Sequence, residues 1–406
     1  MLDSDNIPNW LNFNGANTNA HYSEERANEN ANLLRTLLGD KWLRRGSQDQ
    51  RRLGHLLLNA WSCADIQGFV QMNSLAEDLR VLSEADSLGA ILSDLREERQ
   101  CAAAWHVLHA AALFARDPAQ TVLTFFPKNQ LSAPDFTVRA PSGDILTVEA
   151  KLLEISKSEL EFGRYARKLH DRAFSALLHP NKMNPFVKII IKDSAQRAPI
   201  EDVLAVLAGG LKRYRSNELE WRGPAFNIFI SPPPIETLAF AAYRACMVLA
   251  PRSPTEDIRV FDRSKAASKQ LGSFNDGRNA GVFSLGLTKH QDPHFLVKRF
   301  EERFKGGNYS NISSAILMAR MEPIQQHHKP SLDFVAVVHN PKAKVHIPAF
   351  CLHTAGQFVD FPPEPPTSSE VSAYQYSTVE AAKGYSLRDA TLRMPRIEYL
   401  TTEQLK

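Results

Sequence analysis

Cysteine is scarce in this chain and never paired. Among 406 residues only Cys63, Cys101, Cys246 and Cys351 are cysteine, and none stands in a Cys-x-x-Cys motif. That spacing excludes a zinc ribbon and a dithiol redox motif, and it reads as ordinary buried thiols in a reducing compartment. Long apolar runs are missing too. No stretch of about 18 uncharged apolar residues occurs, and the most apolar helix-length segment, Leu238 to Ala250, is broken by Arg244. The first thirty residues are Asn-rich and acidic, without the basic and then apolar order of a secretory signal, so the expectation is a cytoplasmic protein with no membrane partner. Charge of one sign is not in excess either. A net charge of +3 and a pI near 8.6 permit a polyanionic partner without arguing for one.

Two further absences narrow the chemistry. Gly209-Gly210 is followed by no Gly-Lys-Ser/Thr, so it reads as a helix end and not as a phosphate loop of an ATPase. His290, His294, His327, His328 and His339 lack the spacing and companions of a zinc site, and read as surface or structural histidines. No internal repeat is present.

What is present is enough apolar residue, 43%, to bury one large core or two ordinary ones, and two structural units are expected. Residues 1–29 read as a loosely ordered polar arm. Residues 30–84 read as an N-terminal helical region with apolar residues at three- and four-residue intervals. From Thr121 the period changes to that of short strands, and strands then alternate with helices, which indicates an α/β layered domain. Residues 85–231 are assigned to one core. Residues 232–360 are either its extension or a second subdomain, with strands expected at 258–261, 281–287, 315–321 and 334–338. Residues 361–406 read as a Pro/Ser-rich linker and tail.

One hairpin concentrates charge. Pro134-Asp135-Phe136-Thr137-Val138-Arg139 and Ile145-Leu146-Thr147-Val148-Glu149-Ala150-Lys151 alternate like strands around the turn-forming Ala140-Pro141-Ser142-Gly143-Asp144. A fold symmetric about Ser142 and Gly143 puts Asp135 across from Glu149 or Ala150. Alternation along the second strand points Glu149 and Lys151 to one face and Ala150 to the other. Two carboxylates about 4 Å apart repel by roughly 4 kcal/mol at an effective dielectric of 20, so the arrangement calls for a proton, a cation or a metal. Oxygen ligands on a rigid strand pair suit Mg²⁺.

Pro134-Asp135 followed at hairpin spacing by Glu149-Ala150-Lys151 resembles the PD-(D/E)xK nuclease superfamily, to which restriction endonucleases and Holliday-junction resolvases belong. The likeness is carried by those five residues, the preceding helix and the order of strands and helices to about Ser231. It implies a restriction-endonuclease-like mixed β-sheet flanked by helices. It further implies a metal set of Asp135, Glu149 and Ala150 holding Mg²⁺, with Mn²⁺ as substitute, and Lys151 as the catalytic lysine. Members often add an acid from the helix before the sheet. On a stripe through Ile91, Leu95, Ala102, Trp105 and His109, Glu98 faces inward and is the expected fourth catalytic residue. Arg164, Arg167, Lys168 and Arg172 form a basic face on the helix after the hairpin, suited to a DNA backbone. Some branches carry a glutamine in that helix, and none stands at that place in 158–178. Two more basic groups, Arg263, Lys265 and Lys269, and Arg44, Arg45, Arg51 and Arg52, are further candidates to track a duplex.

The activity implied by the resemblance is Mg²⁺-dependent DNA endonuclease, in restriction or anti-phage defence, as a homodimer or as a partner subunit of a defence system. The alternative is a nuclease-like fold kept as a catalytically inactive nucleic-acid-binding or assembly module.

Overall fold

The computed structural model describes residues 8, 11, 23–48, 55–62, 66–126, 133–153, 156–177, 185–193, 197–215, 217–232, 244–251, 255–275, 278–287, 293–320, 333–348, 350, 352, 370–380 and 395–401. Arg51, Arg52, His290, His327, His328, Cys63, Cys351 and the Pro/Ser-rich stretch 362–369 lie outside the described residues. The N-terminal half begins with six helices, α1 (Glu24–Leu38), α2 (Asp40–Gln48), α3 (Leu56–Ser62), α4 (Ile66–Val81), α5 (Leu88–Arg96) and α6 (Cys101–Ala115). Strands β1 (Thr121–Phe125), β2 (Phe136–Arg139) and β3 (Ile145–Leu152) follow, then α7 (Lys157–Ala176), β4 (Phe186–Ile191), α8 (Ile200–Arg213), β5 (Leu219–Arg222), β6 (Phe226–Ser231) and β7 (Arg244–Pro251). The chain continues with α9 (Thr255–Asn275), β8 (Ala280–Leu287), α10 (Pro293–Lys305), β9 (Ser314–Arg320), β10 (Asp333–His339), β11 (Glu370–Glu380) and β12 (Pro395–Thr401). Among the described residues, no helix is long and apolar enough to cross a membrane.

The fold is α/β and divides into two compact units. Residues 1–153, 260–288 and 293–364 form the first, and 154–259, 289–292 and 365–406 the second. In the first unit a six-stranded mixed sheet runs β1-β2-β3-β8-β9-β10. The β1-β2-β3 meander is antiparallel, β8 and β9 join parallel to β3, and β10 returns antiparallel. Strand alternation gives this sheet two apolar faces. Leu146, Val148 and Val282 pack with Phe114, Phe125, Phe136 and the buried residues of α1 to α6. On the other face, Phe283 and Leu285 pack with Ala267 and Leu271 of α9 and with Leu296, Phe300 and Phe304 of α10. Helix α6 is buried at nearly every position from Ala104 to Phe114, as expected of a helix apolar all round.

The second unit has its own six-stranded sheet, β12-β11-β7-β4-β6-β5, and its own core, in which Phe162, Leu169 and Ala173 of α7 pack on Val187, Ile189 and Ile191. The boundary between units therefore falls at Leu153, inside the 85–231 segment that the sequence pattern joins into one core. Parallel pairing explains this. A parallel partner for β3 needs a crossover connection, and the chain builds β4 to β7 before supplying that partner as β8.

Three local expectations change. Residues 24–29, placed in the arm, are the first turns of α1, capped by Ser23, whose side chain accepts from the Arg26 amide, with Glu24 and Glu25 at the positive end of the helix. Residues 258–261, expected as a strand, lie within α9. Residues 370–380 and 395–401, expected as tail, are strands of the second sheet.

Candidate functional site

The hairpin forms in the expected register. Phe136 pairs with Val148 and Arg139 with Ile145, so the constant sum sets Asp135 opposite Glu149. The turn closes through Gly143 N–H to Ala140 O at 2.9 Å and Ala140 N–H to Asp144 O at 2.9 Å. Gly143 takes φ of +88°, which a side chain would resist. Residues opposite one another in an antiparallel pair share a face, so Asp135, Thr137, Thr147, Glu149 and Lys151 make one polar face, while Val148 and Ala150 face the α6 side.

Each group of this cluster is held. Just ahead of β2, Asp135 accepts the Ala150 amide N–H on Oδ2 at 2.7 Å, and its own N–H donates to Val148 O at 3.0 Å. Glu149 is fully buried. Its Oε1 meets Lys151 Nζ, and its Oε2 accepts from Gln270 Nε2 at 2.7 Å. Lys151 Nζ also stands 3.7 Å from Asp135 Oδ2, and its side chain keeps 31% exposure. Gln270, on α9, spends its second amide hydrogen on Ala133 O at 2.7 Å, so two acceptors define the amide's orientation. Glutamine and carboxylate are thereby locked together.

Burial and charge set the protonation. Desolvation, and then Asp135 beside it, push Glu149 up to about 7 against the opposing pull of Lys151. Asp135 is likewise raised by burial, with Lys151 and the Ala150 amide working the other way. Burial disfavours the charged Lys151, but Asp135 and Glu149 outweigh it and hold the ammonium above its ordinary value. With both acids ionised the cluster carries one surplus negative charge, and that surplus is what a cation would neutralise.

The donor set fits a hard divalent ion. One ammonium already touches both carboxylates, so a single cation can do the same, and all available donors are oxygens, as Mg²⁺ prefers. Ala150 can contribute only through its main chain, because its methyl is buried on the opposite face. Among the described residues no group of three or more His, Cys, Asp or Glu side chains gathers as a metal site, so a centre here rests on two carboxylates.

Asp135, Glu149 and Lys151 thus come together, and Glu98 does not join them. Helix is interrupted between α5 and α6, and Glu98 lies exposed in the turn that joins them. The continuous stripe that points it inward does not exist. Arg164, Arg167 and Lys168 are exposed on α7 in the second unit, and Arg172 there is engaged by both oxygens of Glu201 on α8. Arg44 pairs with Asp40. Arg263 is exposed on α9, near enough for its charge to oppose that of Lys151.

Gln270 is the residue that sequence reasoning missed. It stands on α9, the helix that precedes β8, the parallel neighbour of β3. Seven residues separate Gln270 from Arg263, two helical turns on one face, and that spacing was the available signal.

Comparison with protein-family models, with curated proteins and with solved structures finds no match to this chain.

Proposed function

We propose that the first unit is a divalent-ion-dependent nuclease acting on DNA phosphodiesters, with its active site at Asp135, Glu149 and Lys151. The observation that carries this reading is the single ammonium spanning two carboxylates on a buried face, with Glu149 pinned by Gln270. Such a cluster is costly to bury unless it has a use, because pairing in a low-dielectric site seldom repays desolvation. It also lies at the carboxyl end of parallel strands β3 and β8, where open α/β sheets bind ligands.

Asp135 and Glu149, with the Ala150 carbonyl, would hold Mg²⁺ or Mn²⁺. When bound, such an ion polarises a phosphodiester and acidifies a water. The protein's own groups do the rest. Release of Lys151 from Glu149 turns its ammonium, already part-exposed, toward a phosphate oxygen, where it offsets developing negative charge. Gln270 keeps the Glu149 carboxylate from rotating as its partner changes, and the ionised form of Glu149 is required, whose proton a bound ion would displace. The resemblance to restriction endonucleases is the basis for DNA as substrate and for restriction or defence as setting.

The test is incubation of plasmid and linear DNA with Mg²⁺, Mn²⁺ or EDTA, beside Lys151→Ala. The expected outcome is cleavage abolished by chelation and lowered at least about a hundredfold by the substitution. Cleavage indifferent to both overturns the reading. A second reading, a non-catalytic module, draws on the fact that Lys151 closes the charge cluster on itself. Calorimetry with Mg²⁺ separates the two, since a module of that kind takes up no ion at Asp135 and Glu149.

A further inference from the structure

On the α6 side of the same sheet, a cavity of about 160 Å³ is lined by Trp105, His106, His109, Gln71, Leu152 and Met318, with Leu56 at its edge. Its size is close to the roughly 150 Å³ void that accepts one benzene ring. The wall is built for a flat guest. His106 lies flush on β8 at Gly286, where an added Cβ would stand 2.7 Å from Nδ1, so glycine is what lets the imidazole lie there. His109 is fixed from behind: its Nδ1 meets Asp78 Oδ2 at 2.9 Å, and Asp78, fully buried, is also engaged by Arg116. Burial opposes the charge of Asp78, but His109 and Arg116 outweigh it and hold the carboxyl below its ordinary range. Leu56, 41% exposed, is one of few large apolar side chains on the surface among the described residues. Apolar walls, ring faces and a few fixed polar side chains are the make-up of a ligand pocket.

We infer that this cavity binds a single heteroaromatic ring of the pyrimidine-base type, stacked against Trp105 and His106 and hydrogen-bonded through Gln71. Two sources share that chemistry, a free nucleoside and an unstacked base in a strand. Leu152 follows Lys151 directly and points to the opposite face of β3, so the cavity is separate from the acidic cluster, and a free nucleoside is the source favoured. The inference rests on that reading only for the strand arm.

The experiment titrates the full chain in EDTA with thymidine, cytidine and toluene by ligand-observed NMR and calorimetry. Saturable thymidine or cytidine binding is expected. Ala102→Leu, which fills the cavity from a half-exposed helical position, should remove nucleoside binding while keeping the unfolding midpoint. Gln71→Leu should weaken thymidine and leave toluene unchanged. Absence of saturable nucleoside binding, or binding indifferent to both variants, overturns the proposal. Toluene alone binding shows an apolar void and overturns it equally. Oligonucleotides with and without an abasic site then separate the sources: equal affinity assigns the cavity to free nucleosides, and weaker abasic binding assigns it to a strand. Lys151→Ala should retain nucleoside binding, so loss of cleavage and loss of base binding are read independently.

Discussion

Raising the pH from about 5.5 to 8 in the absence of divalent ions should loosen the first unit through Glu149. The side chain is fully buried, meets Lys151 and Gln270, and is raised from the ordinary 4.5 to about 7 by burial and by Asp135. A folded value above the unfolded one means that the folded state binds the proton more tightly. The resulting stability is complete below about 4.5 and is lost as pH climbs through about 7. The full gap corresponds to about 3 kcal/mol, of which roughly 2 kcal/mol falls between about pH 5.5 and 8, or about 4–8 °C of unfolding temperature for a unit of this size. Asp135, raised as well, adds to the same slope, while Lys151 titrates above this window. A metal reverses the effect, because it takes the place of the proton: Mg²⁺ at a hundred times its dissociation constant restores about 2.7 kcal/mol. The assay is thermal unfolding by circular dichroism at about pH 5.5, 7 and 8, in EDTA and in Mg²⁺, on the natural chain and on Glu149→Gln. The expected pattern is a midpoint that falls with pH in EDTA, recovers with Mg²⁺ mainly at pH 8, and responds much less to either in the glutamine variant, where Asp135 alone remains. A variant that keeps the full slope would refute the reasoning, since the titration would then belong to other groups.

Gln270→Ala should leave Glu149 free to rotate and weaken Mg²⁺-supported cleavage about 10- to 100-fold, with a raised Mg²⁺ requirement in a metal titration. Arg116→Met should strip one partner from the buried Asp78 and cost about 3–5 kcal/mol in urea unfolding, because an unbalanced buried carboxylate remains. Combined alanine substitution of Arg164, Arg167 and Lys168 should flatten the salt dependence of DNA binding, by about one in slope for each lost phosphate contact. Arg172→Ala alone should leave that slope unchanged, since Glu201 already engages its guanidinium. Filter binding across a salt series checks both.

The hairpin was legible because its information is local. Alternation, a Gly-bearing turn and the arithmetic of antiparallel pairing determine which side chains meet, and Asp135 and Glu149 face each other in the register that arithmetic allows. The α/β class was legible for the same reason. Sheet membership was not. Strands β4 and β8 are both short and apolar, and nothing within either says which of them pairs with β3, so a core segment that ends at Ser231 leaves Gln270 outside it. Glu98 failed for a different cause: periodicity was carried across 97–100, where the backbone leaves the helix, with Glu97 extended and its N–H on Asp94 O. Residues 258–261, Ile-Arg-Val-Phe, are mostly apolar and too few to separate a two-residue period from a helical one, and only the length of α9 decides for helix.

The interleaving of the two units has a kinetic side. Strand β3 ends at Leu152 and its parallel neighbour begins at Ala280, so during synthesis more than a hundred residues emerge before that edge is satisfied. At typical ribosomal speeds this is a wait on the order of 10 s, far longer than a hairpin takes to close. For that interval the nascent chain presents a long, apolar strand with unclaimed amides and carbonyls, the feature that invites pairing with a neighbouring molecule. Expression at lower temperature, or with abundant holdase chaperone, should therefore raise the yield of folded chain more than any stabilising substitution made far from β3.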